Sequence, residues 1–162
     1  MLVVSDTSPI RALSAIGRLD VLPKLYGSVL IPPAVEAELA VPVKGLPDVS
    51  QGPHGFLLRA APTDVARVSS LAMHLNPGES EAIVLALERA ADAILIDERR
   101  GRSTAVELGL IPIGTLGVLS EAKSRGLVSA LAPLIAQVQS KIGFRIHPRL
   151  VERVLRDAGE TL

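Results

Sequence analysis

The sequence predicts an α/β fold of three layers (α/β/α), with a central, mostly parallel sheet of four to five strands covered by helices on both faces. Three observations lead there. Apolar runs of strand length alternate along the chain with stretches of helical period. Those runs, residues 2–4, 29–31 and 93–96, are continuously apolar, the pattern of strands buried on both sides. Two of them end in a carboxylate, Asp6 and Asp97, at the strand end where a parallel sheet carries its chemistry.

In chain order, Pro9 lacks an N–H and fixes φ near the helical value, so it suits the first position of a helix over 10–17, with Ser8 as N-cap. Leu19, Leu22 and Leu25 at helical spacing predict a short amphipathic turn across Pro23. The strand over 28–31 is ended by Pro32 and Pro33, which open a helix over 34–39 with Val35 and Leu39 on one face. Between 40 and 62, Pro42, Gly45, Pro47, Gly52, Pro53 and Gly55 break any period into a long surface loop, a length that goes with binding, with a short strand over 57–61 near its end.

Asn76-Pro77-Gly78-Glu79 has the chemistry of a capping box, and Ala82, Ile83, Ala86, Leu87 and Ala90 form the apolar stripe of the helix it opens. After the acid-tipped strand over 93–97, a helix over 103–108 leads to an edge strand over 111–114 that contains a proline. A helix that begins at Thr115 or Gly117 and runs to Arg125 follows, then helices over 129–142 and 149–158. The length and apolar content suit one ordinary core, so 1–162 reads as a single domain with 143–162 as a C-terminal helical extension.

Composition narrows the function classes. Lys plus Arg and Asp plus Glu are both 17, so the overall field steers neither polyanion nor polycation and local patches must carry any such role. The aromatics are Tyr26, Phe56 and Phe144, too few to predict base-stacking platforms; a nucleic acid is expected to be held by its backbone. The absence of cysteine excludes thiol chemistry and suits a cytoplasmic protein, and neither a signal peptide nor a membrane span is expected.

Acids recur where a doubly wound sheet would gather them: Asp6 and Asp97 at strand ends, Glu36/Glu38 and Glu79/Glu81 at helix beginnings. Clustered carboxylates repel one another unless a cation lies between them, and an all-oxygen set suits Mg²⁺ or Mn²⁺. Two such ions activate a water and stabilise the leaving oxygen of a phosphodiester. His54, His74 and His147 are isolated and read as surface or loop residues. Helix capping plus solvated charge explains any one acid equally well.

These residues carry a resemblance. The chain resembles the PIN domain family of metal-dependent ribonucleases that includes VapC-type toxins, and within it the VapC-like branch with a Gly-Glu helix start. The matching stretches are Ser5-Asp6-Thr7-Ser8-Pro9, Pro32-Pro33-Ala34-Val35-Glu36-Ala37-Glu38-Leu39, Gly78-Glu79-Ser80-Glu81-Ala82-Ile83, Leu95-Ile96-Asp97-Glu98 with Gly101-Arg102, and Pro112-Ile113-Gly114-Thr115-Leu116-Gly117-Val118-Leu119 with Ala122-Lys123 and Gly126. It spans essentially 1–158.

The resemblance implies a PIN-like fold and a metal site of four acids. Asp6 matches the first, Glu38, rather than Glu36, the second, and Asp97 the acid of the later strand. For the third, Glu79 is preferred for its place in the Gly-Glu signature, while Glu81 or Glu98 equally complete the site. Thr7 and Ser8 are expected to orient Asp6 or touch a scissile phosphate, and Arg99 and Arg102, in the basic run with Arg100, to contact the RNA backbone. The implied activity is an endoribonuclease using Mg²⁺ or Mn²⁺, with a small antitoxin protein as partner. A groove gated by the 40–62 loop is one place for that antitoxin. A homodimer is expected from Ala15, Ile16, Leu131, Leu134, Ile135 and Val138, an apolar surface larger than one sandwich needs.

Two other classes compete. A catalytically silent PIN-like interaction scaffold fits the Glu in place of Asp at the third position. A receiver-like or nucleotide-binding α/β domain shares strand-end aspartates but is disfavoured, since no Gly-rich phosphate loop follows the first strand.

Overall fold

The structure, a computed structural model, describes residues 1–50 and 54–160. Gly52 and Pro53 of the predicted loop lie outside the described residues. Among the described residues five strands form one all-parallel sheet: β1 (Val3–Ser5), β2 (Val29–Ile31), β3 (Leu57–Arg59), β4 (Ala93–Leu95) and β5 (Pro112–Ile113). Their spatial order is β3-β2-β1-β4-β5. Val3 is level with Val29 on one side and Ala93 on the other, and Ile94 with Pro112. Pro112 is tolerated because it lies on an edge strand, where the amides of Ile94 in β4 and of Ile96 just beyond it donate to the flanking Ile111 and Ile113 carbonyls, at 3.0 Å each.

The continuous apolar runs follow from burial on both faces. Val3, Val29, Ala93 and Leu95 belong to one core with α1 (Thr7–Ala15), α2 (Val21–Tyr26), α3 (Pro33–Ala40), α7 (Thr115–Ser124) and α8 (Ala132–Ile142). Val4, Leu30, Ile94 and Ile96 point the other way, against α5 (Pro77–Glu88) and α6 (Arg99–Glu107). Successive strand residues thus serve opposite layers, as a pleat requires. Short α4 (Val65–Leu71) packs on α5 and buries none of its own residues, and α9 (Pro148–Asp157) returns to the first core through Leu155.

Several helices begin earlier than their sequence signals suggest. α1 starts at Thr7 with Asp6 in the N-cap position, so Ser8 and Pro9 lie inside its first turn and Ser8 is not the cap. α6 starts at Arg99, which places Arg99, Arg100 and Arg102 on a helix and not on a loop. α5 keeps its capping box, Asn76 Oδ1 accepting from the Glu79 amide at 2.8 Å, but it is buried on nearly every side and not along a stripe. The apolar residues from which a homodimer is expected pack within the chain: α8 covers α1, Ala15, Ile16, Leu131, Ile135 and Val138 are buried, and Leu134 is half-buried. Among the described residues no helix is long and apolar enough to cross a membrane.

Candidate functional site

The chain leaves β1 and β4, neighbours in the sheet, in the crevice where the strand order reverses, the place where α/β sheets bind ligands. Asp6 continues the ladder through its amide, which donates to the Leu95 carbonyl at 2.9 Å, and then turns its carboxylate into this crevice at the start of α1. It is 3% exposed and makes no side-chain cap bond.

Glu38 approaches from α3. Its Oε2 accepts the Thr7 hydroxyl and its Oε1 the Gly78 amide at 3.2 Å, while Arg11 pins the end of α3 by donating to the Glu38 and Val41 carbonyls at 2.6 and 2.8 Å. Gly78 permits this approach: a Cβ there would fall 2.7 and 2.8 Å from the two Glu38 carboxylate oxygens and 3.0 Å from Asp6 Oδ1. Glu36 points away and pairs with Arg59 at 3.2 Å on the surface.

Asp97 lies just beyond β4, gripped at both oxygens by Thr115, through the amide at 2.7 Å and the hydroxyl at 2.7 Å. Arg102 stands beside it, held by the Ile96 carbonyl at 3.1 Å. Glu79 is buried at the start of α5. One oxygen accepts from the Asn76 amide at 3.3 Å, and the other faces Gly101 of α6, which has no side chain to obstruct it.

The remaining predicted residues separate. Glu81 accepts from the Ala34 amide at 3.1 Å and so caps α3. Glu98 is exposed at the start of α6, near enough to Glu79 to disfavour its charge. Arg99 is exposed, Arg100 reaches the His74 carbonyl at 3.3 Å, and Ser8 is half-buried in α1.

Electrostatics bind four of the acids into one group. Asp6 is pushed up to about 7, first by burial and then by the charges of Glu79, Glu38 and Asp97, against an opposing bond from the Thr7 amide. Burial also raises Asp97, opposed by Thr115 and Arg102, and raises Glu79, helped by Glu98 and Glu38. Asp6 Oδ1 and Glu79 Oε2 are buried oxygens with no hydrogen-bond partner among the described residues. An acceptor left so in a protein interior is costly unless a cation or proton meets it.

The residues fit a hard divalent cation on two counts: the donors are all oxygens, and two of those oxygens are buried without a donor. Among the described residues no three such side chains stand already arranged to hold an ion. Glu38 and Asp97 are drawn instead onto Thr7, Gly78 and Thr115.

Sequence reasoning passes over Gly78, Gly101 and Thr115 as parts of the site. The signal for Thr115 is its place: like Thr7, it is the hydroxyl residue opening the helix just after a strand of the same sheet.

A parallel α/β/α sandwich with buried carboxylates at its switch point defines the class. A family model described as PIN domain matches residues 2–160, and the chain belongs to the PIN domain family. Proteins of that family are typically nucleases that act on RNA and generally use divalent metals. No curated protein and no solved structure matches the chain.

Proposed function

We propose that this protein is a divalent-metal-dependent endoribonuclease in which Asp6, Glu38, Glu79 and Asp97 hold Mg²⁺ or Mn²⁺ and RNA is the substrate. The observation that carries the reading is the unpartnered, buried Asp6 Oδ1 facing three further acids. The bound ion supplies the Lewis acidity that activates water and neutralises the leaving oxygen of a phosphodiester.

The chain's own residues do the positioning. Asp6 is fixed by the turn from β1 into α1, Glu38 by Thr7 and Gly78, and Asp97 by Thr115. Arg102, half-buried next to Asp97, offers a cation to a phosphate oxygen, while exposed Arg99 extends the same helix toward solvent. Glu81 stays with α3, and Glu98 keeps its carboxylate in solvent at the rim. The likeness of the motif set to VapC-type proteins supports a role as the toxin of a toxin–antitoxin pair in the cytoplasm, with a small antitoxin blocking the crevice.

One observation favours a second reading, a silent interaction scaffold: Glu38 and Asp97 are already satisfied by protein donors. The deciding experiment is cleavage of a labelled single-stranded RNA panel with Mg²⁺ or Mn²⁺, beside Asp6→Asn, Asp97→Asn and an EDTA control. Metal-dependent cutting lost in both variants is the expected result. Inertness with no cation binding by calorimetry supports the scaffold instead.

A further inference from the structure

A cavity of about 830 Å³ opens beside the acids, and most of its wall has no role in the chemistry above. It shares Asp97, Arg102 and Thr115 with the site, runs past Pro112 and Ile113 at the β5 edge, and ends against the segment leading into α9. Its volume lies within the roughly 300–1,000 Å³ of ligand pockets.

Two features of its wall point to an occupant. The chain has three aromatic residues, and two of them, Tyr26 and Phe144, line this one cavity. They come from distant parts of the sequence, α2 and the stretch before α9, and only the fold brings them to one wall. Around them stand Arg102, Arg125 and Arg145. Arg125 is paired with Glu121 at 2.8 Å and Arg102 stands beside Asp97, held by the Ile96 carbonyl, whereas Arg145 makes no salt bridge among the described residues. In a chain of zero net charge, this places local positive charge beside an apolar hollow. Glu121 and Arg125 both act on the half-buried Tyr26 phenol, so the aromatic wall also has a polar end.

We propose that this cavity is a nucleobase pocket: one base of a single-stranded RNA, splayed from its neighbours, stacks on Phe144. Its edge meets Tyr26, Glu121 and Arg125, and Arg102 and Arg145 hold the flanking phosphates. The assignment rests on the endoribonuclease reading only for the phosphate that lies at the acids. Single-stranded RNA is recognised through such splayed bases, with arginines positioning the backbone. An apolar protein segment would suit the lining but gives exposed Arg145 no role.

The test is binding in EDTA, where nothing is cut. Fluorescein-labelled RNA of about ten nucleotides, within the span of single-strand sites, is compared with a series each carrying one abasic position, by anisotropy on the full chain. One abasic position is expected to bind about tenfold more weakly, the scale of a lost base–aromatic stack. Phe144→Leu, which keeps apolar packing but loses the ring, should abolish that position dependence. Arg145→Gln should weaken all strands alike and reduce the salt slope by about one. Absent binding, equal binding of all strands, or position dependence surviving in Phe144→Leu overturns the pocket; equal binding leaves the cavity to an apolar protein segment. A protein that cuts no RNA yet binds with position dependence overturns the nuclease reading and keeps the pocket.

Discussion

Thr115 donates to both oxygens of Asp97, its amide to one and its hydroxyl to the other, each at 2.7 Å. A carboxylate held twice by one residue has little rotational freedom, and the start of α7 thereby sets the direction of an acid carried by β4. Thr115→Val keeps the volume and removes the hydroxyl bond. It should lower the RNA cleavage rate about tenfold or more, since small misplacements near a reacting group are costly. Stability should fall by about 1–3 kcal/mol, the cost of leaving a buried partner unsatisfied. Thr115→Ser should keep most of the rate. Rates beside thermal melts decide it, and an unaltered rate in Thr115→Val would remove Thr115 from the site.

Gly78 offers the opposite separation of stability from function. Alanine is a better helix residue than glycine by about 0.8–1.0 kcal/mol in a helix interior, and the φ of Gly78 is not in the left-handed region. The added Cβ would meet the end of the flexible Glu38 side chain and Asp6 Oδ1, so the carboxylates and not the backbone must yield. Gly78→Ala is expected to melt within a few degrees of the wild type while cation binding, measured by calorimetry, weakens at least tenfold. Intact cation affinity would show that Glu38 and Asp6 do not act together.

The strands β1, β2 and β4 were legible because burial on both faces leaves an unbroken apolar run, and the capping box announced α5. α4 was not, since it buries nothing and so has no period to read. α6 was misplaced for a related reason: Gly101 and Ala105 are its buried residues, too small to mark a face. Among the acids, strand ends identified Asp6 and Asp97, but spacing could not separate Glu79 from Glu81. They lie two apart on one helix, and only packing sends one toward Gly101 and the other to the Ala34 amide. The meeting of Tyr26 with Phe144 in one cavity depends on tertiary structure that no local pattern records.

The raised Asp6 carboxyl gives metal-free stability a pH dependence of defined sign. Below about pH 4, its ordinary range, the group is protonated in folded and unfolded chains alike and contributes nothing. Between there and about 7 the unfolded chain has lost a proton that the folded chain retains, so stability falls as pH rises and then levels off. The full span is about 4 kcal/mol. Melting in EDTA should therefore decline from about pH 5 to 7.5, and Asp6→Asn should flatten the decline. Adding Mn²⁺ at the upper end should restore the wild type alone, because a ligand bound only by the folded chain raises its stability. Parallel curves for the two proteins would show that Asp6 does not carry the effect.

Glu79 has two duties that one substitution can separate. Its Oε1 completes the capping box on the Asn76 amide, a duty glutamine performs equally well, whereas its buried Oε2 has no partner and its charge is opposed by burial, Glu98 and Glu38. If the residue served α5 alone, Glu79→Gln would be neutral or stabilising in every condition. As a cation-holding acid it should instead show a split: an EDTA melting temperature equal to or above the wild type, with the stabilisation by Mn²⁺ lost and RNA cleavage down at least a hundredfold, on the order of a removed electrostatic contact at a reacting centre. Glu81→Gln provides the contrast. Its amide oxygen still accepts from the Ala34 amide, so both the melt and the Mn²⁺ response should remain close to wild type. A protein in which Glu81→Gln and not Glu79→Gln abolishes the Mn²⁺ response would reassign the third acid to the glutamate two residues on.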